Sequence, residues 1–239
     1  MNQPAGWQRR CPLAGFCIWH PLPMTPGQIA AALRRTLPGA AAQKRMIIHP
    51  RPGGMEPLPG ESPKEGGVLV LLYPKDGAGG LHLPLILRAE DGGRHSGQVS
   101  FPGGAQEGAE SITQTALREA QEEVGVPPSS VTVLGSLSPL YIPASGYRIT
   151  PTVGYTPSRP RFVLDHTEAC ELIEAPLAVF MDDCNVVEET WQFGQAPVRV
   201  PFFAVGRHKV WGATAMVLAE LAAVLTDLGG PWSDRAGLS

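Results

Sequence analysis

The stretch FPGGAQEGAESITQTALREAQEEVGV, Phe101 to Val126, decides the reading of this chain. Its segment REAQEE sets Glu119, Glu122 and Glu123 on little more than one helical turn. Like charges three and four apart on a helix repel and destabilise it. Thr113 to Val124 is nevertheless the clearest helix in the sequence, with Gly125 placed to cap its C-terminus. At about 100° per residue, Ala116, Ala120 and Val124 form an apolar stripe, and the glutamates take the adjoining arc. Carboxylates held together at the edge of a core need a cation, or they take up protons. Oxygen ligands without histidine suit Mg2+ or Mn2+ and argue against zinc. The bland alternative is a solvated charged face with Arg118 paired to Glu122, the ordinary reading of such a run taken alone.

The surrounding residues overturn the bland reading. Gly104, Glu110, Arg118, Glu119, Ala120, Glu122, Glu123, Gly125 and Val126 stand in the order G-x5-E-x7-R-E-U-x-E-E-x-G-U, with U aliphatic. A chance match is on the order of one in a billion per start position. Ala120 is small where the pattern prefers a larger aliphatic. The pattern is the Nudix box, and the chain resembles a Nudix hydrolase. The resemblance implies an α/β fold, an α/β/α sandwich with a mixed β-sheet and a catalytic loop–helix–loop. It implies Mg2+ or Mn2+ as cofactor and hydrolysis of a nucleoside diphosphate linked to another group. Carried over by position, Glu119 and Glu123 are the principal metal ligands, and Glu122 is a further ligand or the residue that activates water. Arg118 orients glutamate side chains, and Glu110 supports the loop. Gly103 and Gly104 let the backbone approach the metal, Gly103 through its carbonyl.

The box gives the chemistry, and the residues before it bear on the substrate. LILRAEDGGRHSGQVSFPGG, residues 85–104, resembles the extra motif of the coenzyme A pyrophosphatase branch, L-L-T-x-R-S-x3-R-x3-G-x3-F-P-G-G. Arg88, Gly97, Phe101, Pro102, Gly103 and Gly104 match it. Ile86 replaces the threonine, Ala89 replaces the serine, and Gly93 holds the second arginine's place, with Arg94 one position later. The resemblance spans roughly residues 67–225 and implies cleavage of coenzyme A or its thioesters to 3′,5′-ADP and a 4′-phosphopantetheine derivative. Such a substrate is highly anionic, so Arg88, Arg94 and His95 are its expected phosphate contacts. Arg94 and His95 equally suit a solvated basic loop. Phe101 either packs on adenine or fills core. Glu168 aligns with a family glutamate on the far side of the site, and also suits a helix start. The Gly93 departure keeps open a pyrophosphatase for ADP-ribose, NADH or another nucleoside diphosphate. A catalytically silent, nucleotide-sensing domain is the third reading, although such domains usually have eroded glutamates.

Composition bounds the rest. The chain has 239 residues, 43% hydrophobic and 17% charged, with a net charge of −3 and no basic block. It can therefore bury an ordinary core, and it lacks the clustered cations of a dedicated nucleic-acid binder. No apolar run reaches the length of a membrane span, and the resemblance implies a small-molecule partner. Cys11, Cys17, Cys170 and Cys184 show no metal-ligand spacing and read as free thiols of a cytoplasmic protein, either monomer or homodimer. Residues 1–24 read as an unstructured extension, or as a start placed too early with the true start at Met24. Residues 25–230 read as one domain and 231–239 as a tail. Within the domain the pattern predicts a helix over 26–37, a strand hairpin over 67–73 and 81–89, and strands at 130–137, 147–156 and 196–205. A last helix over 212–228 is apolar nearly all round and hence buried.

Overall fold

The computed structural model of the chain describes residues 24–51, 53–75, 80–89, 97–194, 196–226 and 228. Two helices open it, α1 (Pro26–Leu33) and α2 (Ala40–Gln43). The strands β1 (Lys64–Pro74), β2 (Leu81–Arg88), β3 (Val99–Ser100) and β4 (Gly103–Ala105) lead into α3 (Ile112–Val124). Four more follow, β5 (Thr132–Ser136), β6 (Leu140–Ile142), β7 (Tyr147–Tyr155) and β8 (Ala169–Pro176). A separate sheet of β9 (Val186–Phe193), β10 (Ala196–Val205) and β11 (His208–Trp211) precedes α4 (Gly212–Thr226). The chain is thus α/β with a mixed sheet, ordered β3-β2-β1-β7-β5, in which β1 and β7 run parallel. No described helix is long and apolar enough to cross a membrane.

Strand β1 shows why the sheet is covered on both faces. Side chains alternate along a strand. Leu69, Leu71 and Tyr73 pack with Ala116, Ala120 and Val124 of α3. Val70 and Leu72 face the other way, into the larger core with Ile29 of α1 and Leu218 and Leu221 of α4. The result is the expected sandwich. The small three-stranded sheet adds a wall on the α4 side, contributing Phe203, Val205 and Val210 to that core.

Several boundaries move for local reasons. Helix α1 stops at Leu33 and not at Leu37, with Arg34 as its C-cap. Strand β1 begins at Lys64, inside a segment whose composition reads as loop, because each residue from Lys64 to Leu72 has a partner on β7. Strands β4, β6, β9 and β11 have no counterpart in the sequence reading. Three are four residues or shorter, and β9 has no buried residue and carries two glutamates. Helix α4 is buried as expected, yet includes Glu220 at 0% exposure. Its carboxylate accepts from Gln43 Nε2 at 2.8 Å and from the Ser138 N–H at 3.1 Å, which binds α4 to α2 and to the approach to β6.

Helix α3 has both ends specified locally. Ser111 caps the N-terminus in a capping box with Gln114. Gly125 ends it at φ 72°, with its N–H on the Gln121 carbonyl and the Val126 N–H on the Ala120 carbonyl. The helix sits close on β1. A Cβ on Gly67 would lie 2.5 Å from the Ile112 carbonyl oxygen and 3.0 Å from the Ala116 nitrogen. Gly67→Ala is therefore expected to cost about 1–3 kcal/mol through overpacking. The urea midpoint checks this, and an unchanged midpoint would mean that α3 does not rest on the strand at Gly67.

Candidate active site

Helix geometry sorts the three glutamates of α3. At about 100° per residue, Glu123 lies some 60° from the centre of the apolar stripe, Glu119 about 100° and Glu122 about 160°. Their side chains are accordingly 1%, 14% and 56% exposed. The shared arc expected from the sequence is thus corrected: Glu123 is inside, Glu119 at the rim and Glu122 on the outer face.

Two arginines hold these acids. Arg118 donates through Nη1 to Glu119 Oε1 at 2.8 Å and to Glu122 Oε2 at 2.9 Å. Its Nε and Nη2 fork onto the two oxygens of Glu110 at 3.2 and 3.0 Å, and Nη2 also reaches the Ala105 carbonyl at 3.0 Å. The Arg118–Glu122 pair of the bland reading therefore exists, as one arm of a larger hub. Arg118 also holds Glu110 well below the usual carboxylate range, at about 2, and those carboxylates in turn push Arg118 up. Arg88, at the end of β2, donates through Nη1 to Glu123 Oε1 at 3.1 Å, and its Nη2 lies 3.8 Å from Glu168 Oε2.

Glu168 arrives by a route the sequence does not show. The last carbonyls of α3 accept N–H groups from the following strap, Val124 from Val163 and Glu123 from Asp165. A turn at Asp165 then leads to Glu168, whose carbonyl accepts the Ala89 N–H beside Arg88. Glu168 precedes a strand and not a helix, so the helix-start reading fails. Its charge bears on both Glu119 and Glu123.

The glycine loop meets the same carboxylates. Glu123 Oε2 accepts the Gly103 N–H at 2.8 Å. A Cβ on Gly104 would lie 2.5 and 2.7 Å from the two oxygens of Glu119, so the carboxylate occupies the space that a side chain would fill. Glu119 and Glu123 therefore converge on one backbone turn. Burial pushes Glu123 up to about 7, against the opposing pull of the Gly103 N–H and Arg88, and Glu119 is likewise raised by burial. Among the described residues no three His, Cys, Asp or Glu side chains form a closed ligand cluster. The donors present still fit a hard divalent cation: two incompletely neutralised carboxylates and a bare backbone turn, all oxygen.

A cleft of about 650 Å³ opens from this turn. Arg88, Phe101, Gly103 and Gly104 line one end, and Arg51, Tyr141 and Met216 are among its other walls. Phe101 is 3% exposed and belongs to the main core while also lining the cleft. Tyr147 and Trp211 line it, whereas Arg148 turns to Glu65 at 3.2 Å. Thr214 is buried with its hydroxyl on the Val99 carbonyl at 3.0 Å. Arg94 and His95 lie outside the described residues. Arg51 is the cleft residue that the sequence reading missed. It stands in a proline- and glycine-rich stretch with no motif to mark it.

Residues 63–165 match the NUDIX domain family. The chain is 40% identical over 146 residues to the protein named Uncharacterized Nudix hydrolase NudL of Pectobacterium atrosepticum, covering 61% of this chain and 76% of that one. It is 38% identical over 131 residues to the NudL protein of Photorhabdus laumondii, covering 54% and 68% respectively. The crystal structure of RenU, a Nudix hydrolase of M. smegmatis, aligns at a TM-score of 0.42 and 24% identity, over 48% of this chain and 71% of that one.

Two outcomes test the site without a substrate. In Gly104→Ala the new methyl meets only the end of a flexible side chain, so the fold is expected to persist while Glu119 is displaced. The melting temperature with chelator should stay near wild type, and the rise on adding Mn2+ should shrink. A rise equal to wild type would dissociate Glu119 from the cation. Secondly, the folded pKa of Glu123 lies above the ordinary 4.5. Its contribution is then complete below about 4.5 and lost as pH rises through about 7. Melting in chelator should weaken across that window, and Glu123→Gln should flatten the decline. Glu110 acts in a separate window, losing its contribution as pH falls from 4.5 through about 2.

Proposed function

Since the chain belongs to the Nudix hydrolase family, we propose that it is a divalent-metal-dependent pyrophosphatase acting on coenzyme A. The products are 3′,5′-ADP and 4′-phosphopantetheine, or its acyl derivative from a thioester. The observation that carries this reading is the place of Arg88. It is the first arginine of the upstream motif, it lines the cleft beside Gly103 and Gly104, and it touches Glu123 at 3.1 Å. A guanidinium there meets a diphosphate at the same turn on which Glu119 and Glu123 converge.

Glu119, Glu123 and the Gly103 carbonyl are the ligands that would hold Mg2+ or Mn2+, with Glu122 beside them. When bound, the cation supplies Lewis-acid charge to the diphosphate and acidifies the attacking water. Glu122, the most exposed of the three, would take the proton from that water. Arg118 is a positioning residue, fixing Glu119 and Glu122 from one guanidinium group while Glu110 anchors it from behind. Arg88 binds a phosphate oxygen and, with Glu168, orders the mouth of the site.

Incubation of the purified chain with coenzyme A and Mg2+ or Mn2+ is expected to give 3′,5′-ADP, resolved by chromatography. Glu122→Gln is expected to lower kcat by about 10²–10⁴-fold with an unchanged circular dichroism spectrum. No product with either metal from folded protein, or faster turnover of ADP-ribose or NADH, would refute the assignment.

A further inference from the structure

Among the described residues, Arg51 and Arg88 are the charged side chains that line the cleft, and no acid lines it. Arg88 is answered by Glu123 and Glu168. Arg51 has no such partner among the described residues: burial lowers its pKa, and no carboxylate acts against that. The His49 N–H donates to the Arg199 carbonyl at 2.9 Å and the Arg199 N–H to the His49 carbonyl at 2.8 Å, which fastens the segment before Arg51 to β10. The Nη2 of Arg51 donates to the Tyr141 carbonyl at 3.0 Å, and Nη1 lies 3.4 Å from Met216 Sδ. Its Nε is buried without an acceptor. A partly buried cation answered by one carbonyl and a thioether is costly unless an anion completes the site.

That anion lies far from the glycine turn. Across the sheet, Gly104 of β4 pairs with Gly67 of β1, while Tyr141 of β6 pairs with Arg148 of β7, which faces Glu65 of β1. Tyr141 is thus three strand spacings and two residues from Gly104, about 16 Å at ~4.8 Å per spacing and ~3.3 Å per residue. The wall between them is apolar, with Val68, Leu140 and Ile149. A ligand that fills the cleft therefore has an anion at each end of a long uncharged body. An extended pantetheine arm has that length. It runs about thirteen bonds from phosphorus to sulfur, a little over four residues' worth of chain at ~3.4 Å each, or roughly 15 Å. The group bonded to the sulfur then stands beside Arg51. A lone guanidinium, with no second cation lining that end, matches the single charge of a carboxylate better than the double charge of a phosphate monoester.

We infer that Arg51 is a specificity-determining residue that binds a carboxylate at the far end of the substrate's acyl group, so that thioesters of short dicarboxylic acids are the preferred substrates. This rests on reading the cleft as the substrate site of a coenzyme A pyrophosphatase. Succinyl-4′-phosphopantetheine and butyryl-4′-phosphopantetheine differ by a carboxylate in place of a terminal methyl, and neither has a diphosphate to cleave. Calorimetry on the full chain with Mg2+ is expected to show the succinyl compound bound about tenfold more tightly. Arg51→Gln is expected to abolish that preference and leave the butyryl affinity unchanged, while Arg51→Lys retains part of it. Equal binding of the two compounds by the wild-type chain overturns the inference, as does a failure of both to bind. So does a preference that survives Arg51→Gln, or an equal loss of both affinities, which would make Arg51 a structural tie between β6 and α4. A chain that cleaves coenzyme A without this preference keeps the functional reading and loses the subsite. One that fails to cleave coenzyme A but shows the Arg51-dependent preference loses the former and keeps the latter.

Discussion

Helix α3 lies so close to the sheet that the glycines beneath it have no room for side chains. At Gly67 a Cβ would strike the helix backbone, at Gly103 it would strike Gly67 and Val68, and at Gly104 it would displace the Glu119 carboxylate. That approach lets a short acidic side chain reach a backbone turn on the neighbouring strand. With ordinary residues at these positions α3 would ride higher, Glu123 would lose the Gly103 N–H, and the carboxylates would point into solvent. The glycines therefore act mainly through distance, by removing atoms where two elements must touch.

The close approach creates an electrostatic problem that the site handles in parts. Glu110 is fully compensated by Arg118, and its pKa falls. Glu123 has Arg88 and a backbone donor, yet burial outweighs both and its pKa rises. Charge compensation is thus strongest on the outer, supporting side of the helix and weakest where the carboxylates face the glycine turn. An oxygen site left short of positive charge is suited to a divalent cation, and the same shortage destabilises the fold when no cation is present.

Much of this was legible in the chain. The helix, its cap at Gly125 and the apolar stripe follow from local periodicity, because each depends on residues within a few positions of one another. The strands that became the centre of the sheet, β1, β2 and β7, each contain an apolar or β-branched run. The short strands β4, β6 and β11 were not legible, since a strand of three or four residues is defined by its partner more than by its own pattern. Glu168 was found by alignment to a family position and Arg88 by the upstream motif, but their proximity and the strap that delivers Glu168 could not be.

The sequence by itself determined the family box: carboxylates at helical spacing, a glycine turn ahead of them and an arginine among them. These are local facts, and a helix of known pitch converts spacing into direction. Tertiary structure decided which carboxylate is buried, which arginines balance it and what lines the cleft. Arg88 and Glu123 are 35 residues apart, and Arg51 meets Tyr141 across 90. Such contacts depend on how strands cross and sheets stack, which no pattern along one segment records. The cleft was therefore invisible until the small sheet, α4 and the segment after α2 were seen to close around one face of the site.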